Sequence, residues 1–239
     1  MRRLLVVSSA AVCLTGCDAP AEPGPVASAA ASPVVSASAN GVEALEAAAI
    51  LDRARESLRK APSFRFTSTA GARTVDLRIS GPDAHGTVVH DGERTEWLLV
   101  DGDRYLKAGE PFWTARFGER EGAIGREIVG DRWMLVPPAM DSELIGKDFA
   151  VAGLLDATFT PDGAIRKQAA AGSVTLTDAG GTEVSVATTG EPYPVGWTGK
   201  DGTGRITEVG VPVPAITAPP EDDVFELITL VEAGMLTEI

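Results

Sequence analysis

Cysteine is nearly absent from this chain: Cys13 and Cys17 are the only two in 239 residues. Both lie close to the N-terminus, so no disulfide can staple the rest, and the fold must rest on an ordinary hydrophobic core. Histidine is as scarce, with only His85 and His90. On one strand these positions face opposite sides, which makes them a poor metal pair. Lysine and arginine number 21 against 34 aspartates and glutamates, a formal charge of −13. That deficit excludes the basic patches that neutralise phosphates in nucleic-acid binding. It also excludes broad electrostatic adhesion to anionic lipid; the acidic surface keeps the protein in solution. No Gly-x-Ser-x-Gly elbow, Ser-x-x-Lys, His-Glu-x-x-His or phosphate loop is present. Glu221-Asp222-Asp223 reads as a dipole-complementing helix start, because no Asp-x-Asp-x-Asp-Gly calcium loop accompanies it. Asp201-Gly202-Thr203-Gly204 reads as a hairpin turn, because no helix follows it. No enzymatic activity, cofactor or metal is expected.

What is present begins at the N-terminus. Arg2 and Arg3 precede an apolar run from Leu4 to Leu14, then Thr15-Gly16-Cys17. A basic start, a short hydrophobic stretch and a small-residue cleavage site make a secretory signal peptide over residues 1–16. The run is too short to span a bilayer, which takes roughly 20 apolar residues. Leu14-Thr15-Gly16-Cys17 resembles the lipobox of bacterial lipoproteins. That resemblance implies a diacylglycerol on the Cys17 thiol, cleavage before it, and anchoring to the outer face of the cell membrane. Cleavage leaves 223 residues and moves the formal charge to −15, because both arginines leave with the signal.

Residues 17–40 follow the cleavage site, and from Asp18 onward they are almost wholly Ala, Ser, Pro, Val and Gly. This composition cannot bury enough apolar surface to offset ordering, so it reads as a flexible tether. At about 5–6 Å × √n its typical reach is roughly 25–30 Å. Residues 41–239 are then one domain, long enough for a sizeable core.

Asn40 and Glu43 suggest a helix start, and Ala47, Ile50, Leu51, Ala54 and Leu58 recur at helical spacing up to Pro62. Glu56 and Lys60 are placed to pair on the polar face. Short alternating runs follow: Phe64 and Phe66, then Val75, Leu77 and Ile79, and later Val174 with Leu176 and Val184 with Val186. Turn residues such as Asp91-Gly92 and Asp101-Gly102 separate them, too closely for βαβ crossovers, so the strands pair antiparallel. Trp97-Leu98-Leu99-Val100 is apolar on both sides and predicts a strand covered on both faces. Residues 119–129 are ambiguous, because two glycines weaken a helix. Asp141 caps a second helix bearing Leu144, Ile145, Phe149 and Ala152 on one face. Pro219-Pro220-Glu221 starts a third, with Val224, Leu227, Ile228 and Val231 at helical spacing.

Particular segments are similar to the LppX/LprG-type lipoproteins of actinobacteria, which share their architecture with the carriers LolA and LolB. They are Ala61-Pro62-Ser63-Phe64-Arg65-Phe66, Gly102-Asp103-Arg104-Tyr105-Leu106-Lys107 with Trp113 downstream, Gly130-Asp131-Arg132-Trp133, and Thr217-Ala218-Pro219-Pro220. The resemblance covers most of residues 42–225. It implies an α+β fold: a strongly curved antiparallel half-barrel of about eight or more strands, with helices packed on its concave face. It also implies a cavity between sheet and helices that holds acyl chains.

Phe64, Phe66, Trp97, Leu99, Tyr105, Trp113, Trp133, Leu144 and Phe149 are the bulky apolar residues placed to line such a cavity. The plainer alternative is that they fill a core at crystal-like density. Two functions therefore stand side by side. One is a monomeric envelope lipoprotein that binds or carries a lipid, glycolipid or other hydrophobic ligand. The other is a non-enzymatic envelope lipoprotein with a filled core that works through contacts with envelope transport or lipoprotein partners.

Overall fold

A computed structural model describes residues 38–138, 161–200 and 202–234. The signal peptide, Cys17, the tether up to residue 37 and the helix placed after Asp141 lie outside the described residues.

The first helical pattern folds as read, but it starts later. Asn40 does not cap the α-helix; its Oδ1 accepts the Val42 N–H and opens a 3-10 turn, Val42–Ala44. The α-helix proper, α1, runs Ala47–Lys60 and buries Ile50, Leu51, Ala54 and Leu58. Lys60 Nζ donates to Glu56 on the exposed side, 2.5 Å away. Ala61 leaves the helix in an extended conformation ahead of Pro62, as the residue before a proline is biased to do.

Five antiparallel strands follow as a meander: β1 (Ser63–Ala70), β2 (Arg73–Ser80), β3 (Asp83–His90), β4 (Glu93–Val100) and β5 (Asp103–Ala108). Asp91-Gly92 and Asp101-Gly102 both take positive φ at their two residues. This is the type I′ geometry that matches strand twist. After α2 (Glu110–Val129) comes β6 (Trp133–Leu135). The second strand group is β7 (Arg166–Ala170), β8 (Ser173–Thr177), β9 (Glu183–Ala187), β10 (Pro194–Gly199) and β11 (Gly202–Thr207).

With β12 (Val224–Glu226), all pair into one sheet, in the order β12-β6-β5-β4-β3-β2-β1-β11-β10-β9-β8-β7. The sheet is curved and unclosed, antiparallel except at one edge, and helices pack on its concave face: an α+β half-barrel with twelve strands among the described residues. The parallel edge corrects the reading of the C-terminal segment. Glu221–Asp223 is only a 3-10 turn, Val224–Glu226 is strand β12, and the helix shrinks to α3 (Ile228–Glu232). Val224 pairs with Trp133 and Phe225 with Met134. A β-branched residue and an aromatic beside an edge with unpaired backbone groups favour pairing, and that outweighs their helical spacing.

The pairing register builds the two faces. Across the inner face Ile206, Phe66, Leu77, Gly86, Trp97, Leu106, Met134 and Phe225 stand opposite one another from β11 to β12. This row packs with α1 and α2 in the main hydrophobic core. One residue along, the outer face carries Arg65, Arg78, His85, Leu98, Tyr105 and Leu135 in the same way. Its apolar end makes a second cluster of Leu98, Val100 and Tyr105 with Trp133, Leu135, Ile216 and Val224. All four residues of Trp97–Val100 are buried, two on each face.

On the polar end, Arg65 grips Asp76 with two hydrogen bonds of 2.8 and 2.7 Å, and Arg65 and Arg78 share Glu208 at 3.3 and 2.8 Å. The hydrogen bond from Arg65 holds the Asp76 carboxyl below its ordinary value. These side chains are a third to a half exposed, so the network fixes register more than it stabilises.

Candidate functional site

The inner face is where bulky apolar side chains gather. Phe64, Phe66, Trp97 and Leu99 all point there from β1 and β4, and Trp113 meets them from α2 in the same core. Each is at most 7% exposed, and Trp113 is fully buried. Tyr105 and Trp133 stand on the outer face, in the second cluster. Leu144 and Phe149 lie outside the described residues. The structure thus brings together five of the nine residues placed from the sequence and sets two apart.

Three further aromatics join the inner group. Trp197 of β10 stacks on Phe66 with ring centroids 5.0 Å apart, while Phe112 and Phe117 flank Trp113 at 6.0 and 5.5 Å. Trp197 escapes a sequence reading because Gly196 and Gly199 bracket it and remove any alternation. The signal lies across the sheet: Trp197 pairs with Gly204, and a Cβ there would fall inside the indole ring. Gly86 plays a similar part between Leu77 and Trp97, where a side chain would strike the Asp76 carbonyl.

The seat of Trp113 is made by α2. At Gly118 (φ 82°, ψ 173°) the helix breaks, so its two halves fold against each other. Gly122 lies against the Trp113 backbone and Gly125 lies against the indole ring. The two glycines that weaken a helix by propensity are those that admit the close approach.

Polar chemistry on this face is sparse, and the two inner tryptophans differ. Trp97 Nε1 donates to Thr95 Oγ1 at 2.6 Å, and that hydroxyl donates to the Val88 carbonyl at 3.2 Å. Trp113 Nε1 is buried and has no acceptor among the described residues. Burial of an unpaired donor costs about 1–3 kcal/mol. On the outer face His85 Nε2 lies 2.9 Å from Glu96, beside the Trp133 ring, and Lys107 sits over that ring. Among the described residues no three His, Cys, Asp or Glu side chains gather as a metal site.

Elsewhere, Asp178 organises a loop. Its carboxylate accepts the backbone N–H groups of Asp162 and Thr182 at 2.9 and 2.8 Å, and these hydrogen bonds hold its pKa below the ordinary 3.8.

A partly open cleft of about 290 Å³ lies at the rim of the sheet. It is walled by the β4–β5 turn, the end of β6 with Val136, Pro137 and Pro138, and Glu226 and Ile228 from β12 and α3. Among the described residues no helix is long and apolar enough to cross a membrane.

No protein-family profile matches the chain, and no curated protein sequence matches it significantly. Among solved structures it is similar to LprF from Mycobacterium bovis, with 17% identity and a TM-score of 0.41, over 72% of this chain and 96% of that one. It is likewise similar to the Mycobacterium tuberculosis lipoprotein LppX, with 12% identity and a TM-score of 0.44, over 72% of this chain and 98% of that one.

Proposed function

We propose that this protein is an extracytoplasmic lipoprotein, anchored through an acylated Cys17, that binds a hydrophobic ligand on the helix side of its half-barrel. The proposed role is binding without chemistry. The observation that carries it is Trp113: a fully buried indole N–H that meets no acceptor among the described residues, flanked by Phe112 and Phe117 in the core that also holds Phe66, Trp97 and Trp197. An aromatic-lined region with one unspent donor suits an amphiphile. Its acyl chain is held by apolar burial, about 0.8 kcal/mol per CH₂, and an ester or carboxylate oxygen accepts from Nε1. The lipobox and the resemblance to LppX/LprG-type lipoproteins support the same reading.

The second reading, a filled core that acts through protein contacts, is favoured by the burial itself. Phe66, Leu77, Ile79 and Leu106 are each at most 2% exposed. Trp113→Phe separates the two. If the donor serves a ligand, binding of a fluorescent fatty-acid analogue weakens about fivefold, the equivalent of one hydrogen bond near 1 kcal/mol. The unfolding midpoint of the ligand-free protein then holds or rises, because an orphaned donor has been removed. A lower midpoint with unchanged analogue binding would place the indole in a filled core.

A further inference from the structure

We propose that the rim of the sheet where the tether enters is the face that the anchored domain presents to the lipid surface. The inference rests on the lipoprotein reading above.

The described chain enters beside the β9–β10 loop: Ala39 bridges to Thr189, the Asn40 N–H donates to the Thr188 carbonyl, and Gly190 N–H donates to Ser38. Ala187, just before that loop, ends β9. Through the antiparallel pairings the same rim holds the end of β11 and start of β1, the β2–β3 turn, the β4–β5 turn and the end of β6. The parallel β12 ends there too, leading into α3. Tether entry and the 290 Å³ cleft therefore share one rim.

Exposed apolar side chains share it as well. Four large apolar residues are exposed among the described residues, and three of them, Val195, Val211 and Ile228, stand at this rim. Val195 is next to the first residue of β10, the Val211 carbonyl accepts from Ser63 Oγ at the start of β1, and Ile228 begins α3. The fourth, Ile124, is on α2. At the opposite end the turns carry Asp91, Asp131, Lys200 and Glu221 to Asp223.

Acids and bases are mixed there: Asp83, Asp101, Glu191 and Glu226 lie on or beside the rim with Arg104 and, at the end of α1, Arg59 and Lys60, so its contact with a zwitterionic phosphatidylcholine surface is through the apolar side chains. Ile228 also lines the cleft. A hydrophobic molecule could then pass between bilayer and cleft without crossing water.

The test uses the acylated full chain on phosphatidylcholine vesicles. Its mature form has no other cysteine, so single cysteines can carry an environment-sensitive dye at Val211→Cys or Ile228→Cys on the rim, and at Ala72→Cys or Glu221→Cys at the far end. Quenchers are placed on the lipid chains. Rim dyes are expected to be quenched several-fold more than far-end dyes. Val195→Ser with Val211→Ser should lower quenching of a dye at position 228 while the chain stays vesicle-bound. Equal quenching at both ends of an acylated, vesicle-bound chain overturns the orientation alone. So does rim-dye self-quenching from a dimer that buries the rim. A chain without acyl mass on Cys17 overturns the lipoprotein reading, and the orientation falls with it.

Discussion

A Cys17→Ala variant is expected to leave the membrane fraction completely and appear soluble after a carbonate wash. The expectation rests on how little else could hold the protein there. Each buried CH₂ of an acyl chain contributes about 0.8 kcal/mol, and a single chain gives only marginal, reversible binding, so two chains or more are needed for stable attachment. A diacylglycerol on Cys17 supplies them. Without it, no described helix can span the bilayer, the formal charge of −13 works against anionic lipid, and among the described residues the large apolar side chains exposed at the rim are only Val195, Val211 and Ile228. Three partly exposed aliphatic side chains cannot replace two acyl chains. Flotation with membranes of a Cys17→Ala chain would show that the anchor lies elsewhere and would remove the basis for a lipobox at Leu14-Thr15-Gly16-Cys17.

The second large effect is on stability, and its sign runs against helix propensity. In an isolated helix Gly→Ala gains up to about 1 kcal/mol. At Gly122 the new Cβ would lie 2.6 Å from the Trp113 carbonyl oxygen and 2.7 Å from its carbon. Those are backbone atoms, and no rotamer change can clear them. The two halves of α2 must separate, and overpacking of this kind typically costs 1–3 kcal/mol. With the full propensity gain set against that cost, Gly122→Ala is expected to destabilise by up to about 2 kcal/mol net. For a domain of this size that lowers the thermal midpoint by up to about 8 °C, at roughly 2–4 °C per kcal/mol. Its weakened seat also loosens Trp113 and reduces uptake of the fatty-acid analogue. Gly→Ala at an exposed helical position would stabilise, so an unchanged or higher midpoint would mean that the two halves of α2 do not meet at Gly122.

These glycines also mark where a reading of the sequence stops. The face of α1, the hairpins and the type I′ turns at Asp91-Gly92 and Asp101-Gly102 follow from local pattern, because period and turn chemistry are local properties. Burial of Trp97 to Val100 on both faces follows too, since an unbroken apolar run needs cover on both sides. Gly122 and Gly125 lower the helix propensity of residues 119–129, while the contact with Trp113 that they permit comes from a fold at Gly118. Val224, Leu227 and Ile228 have helical spacing, yet a free edge beside β6 draws Val224–Glu226 into a strand. Facing is lost for a related reason. Strand parity decides whether Tyr105 shares a face with Trp97 or Leu98, and only the pairing of Leu98 with Tyr105 fixes it on the outer side. Trp197 owes its place to Gly204 on the neighbouring strand, a relation that no single segment contains.

Service of the inner face to a hydrophobic ligand is open to direct measurement. Native mass spectrometry of the mature chain carrying Cys17→Ala, secreted from a bacterial host and followed by solvent extraction, tests it most directly. A discrete added mass is expected that resolves into an acyl-bearing amphiphile and falls when Trp113 is replaced by Phe. A clean protein mass, with no uptake when phospholipid and fatty acid are offered, would contradict it and leave a filled core.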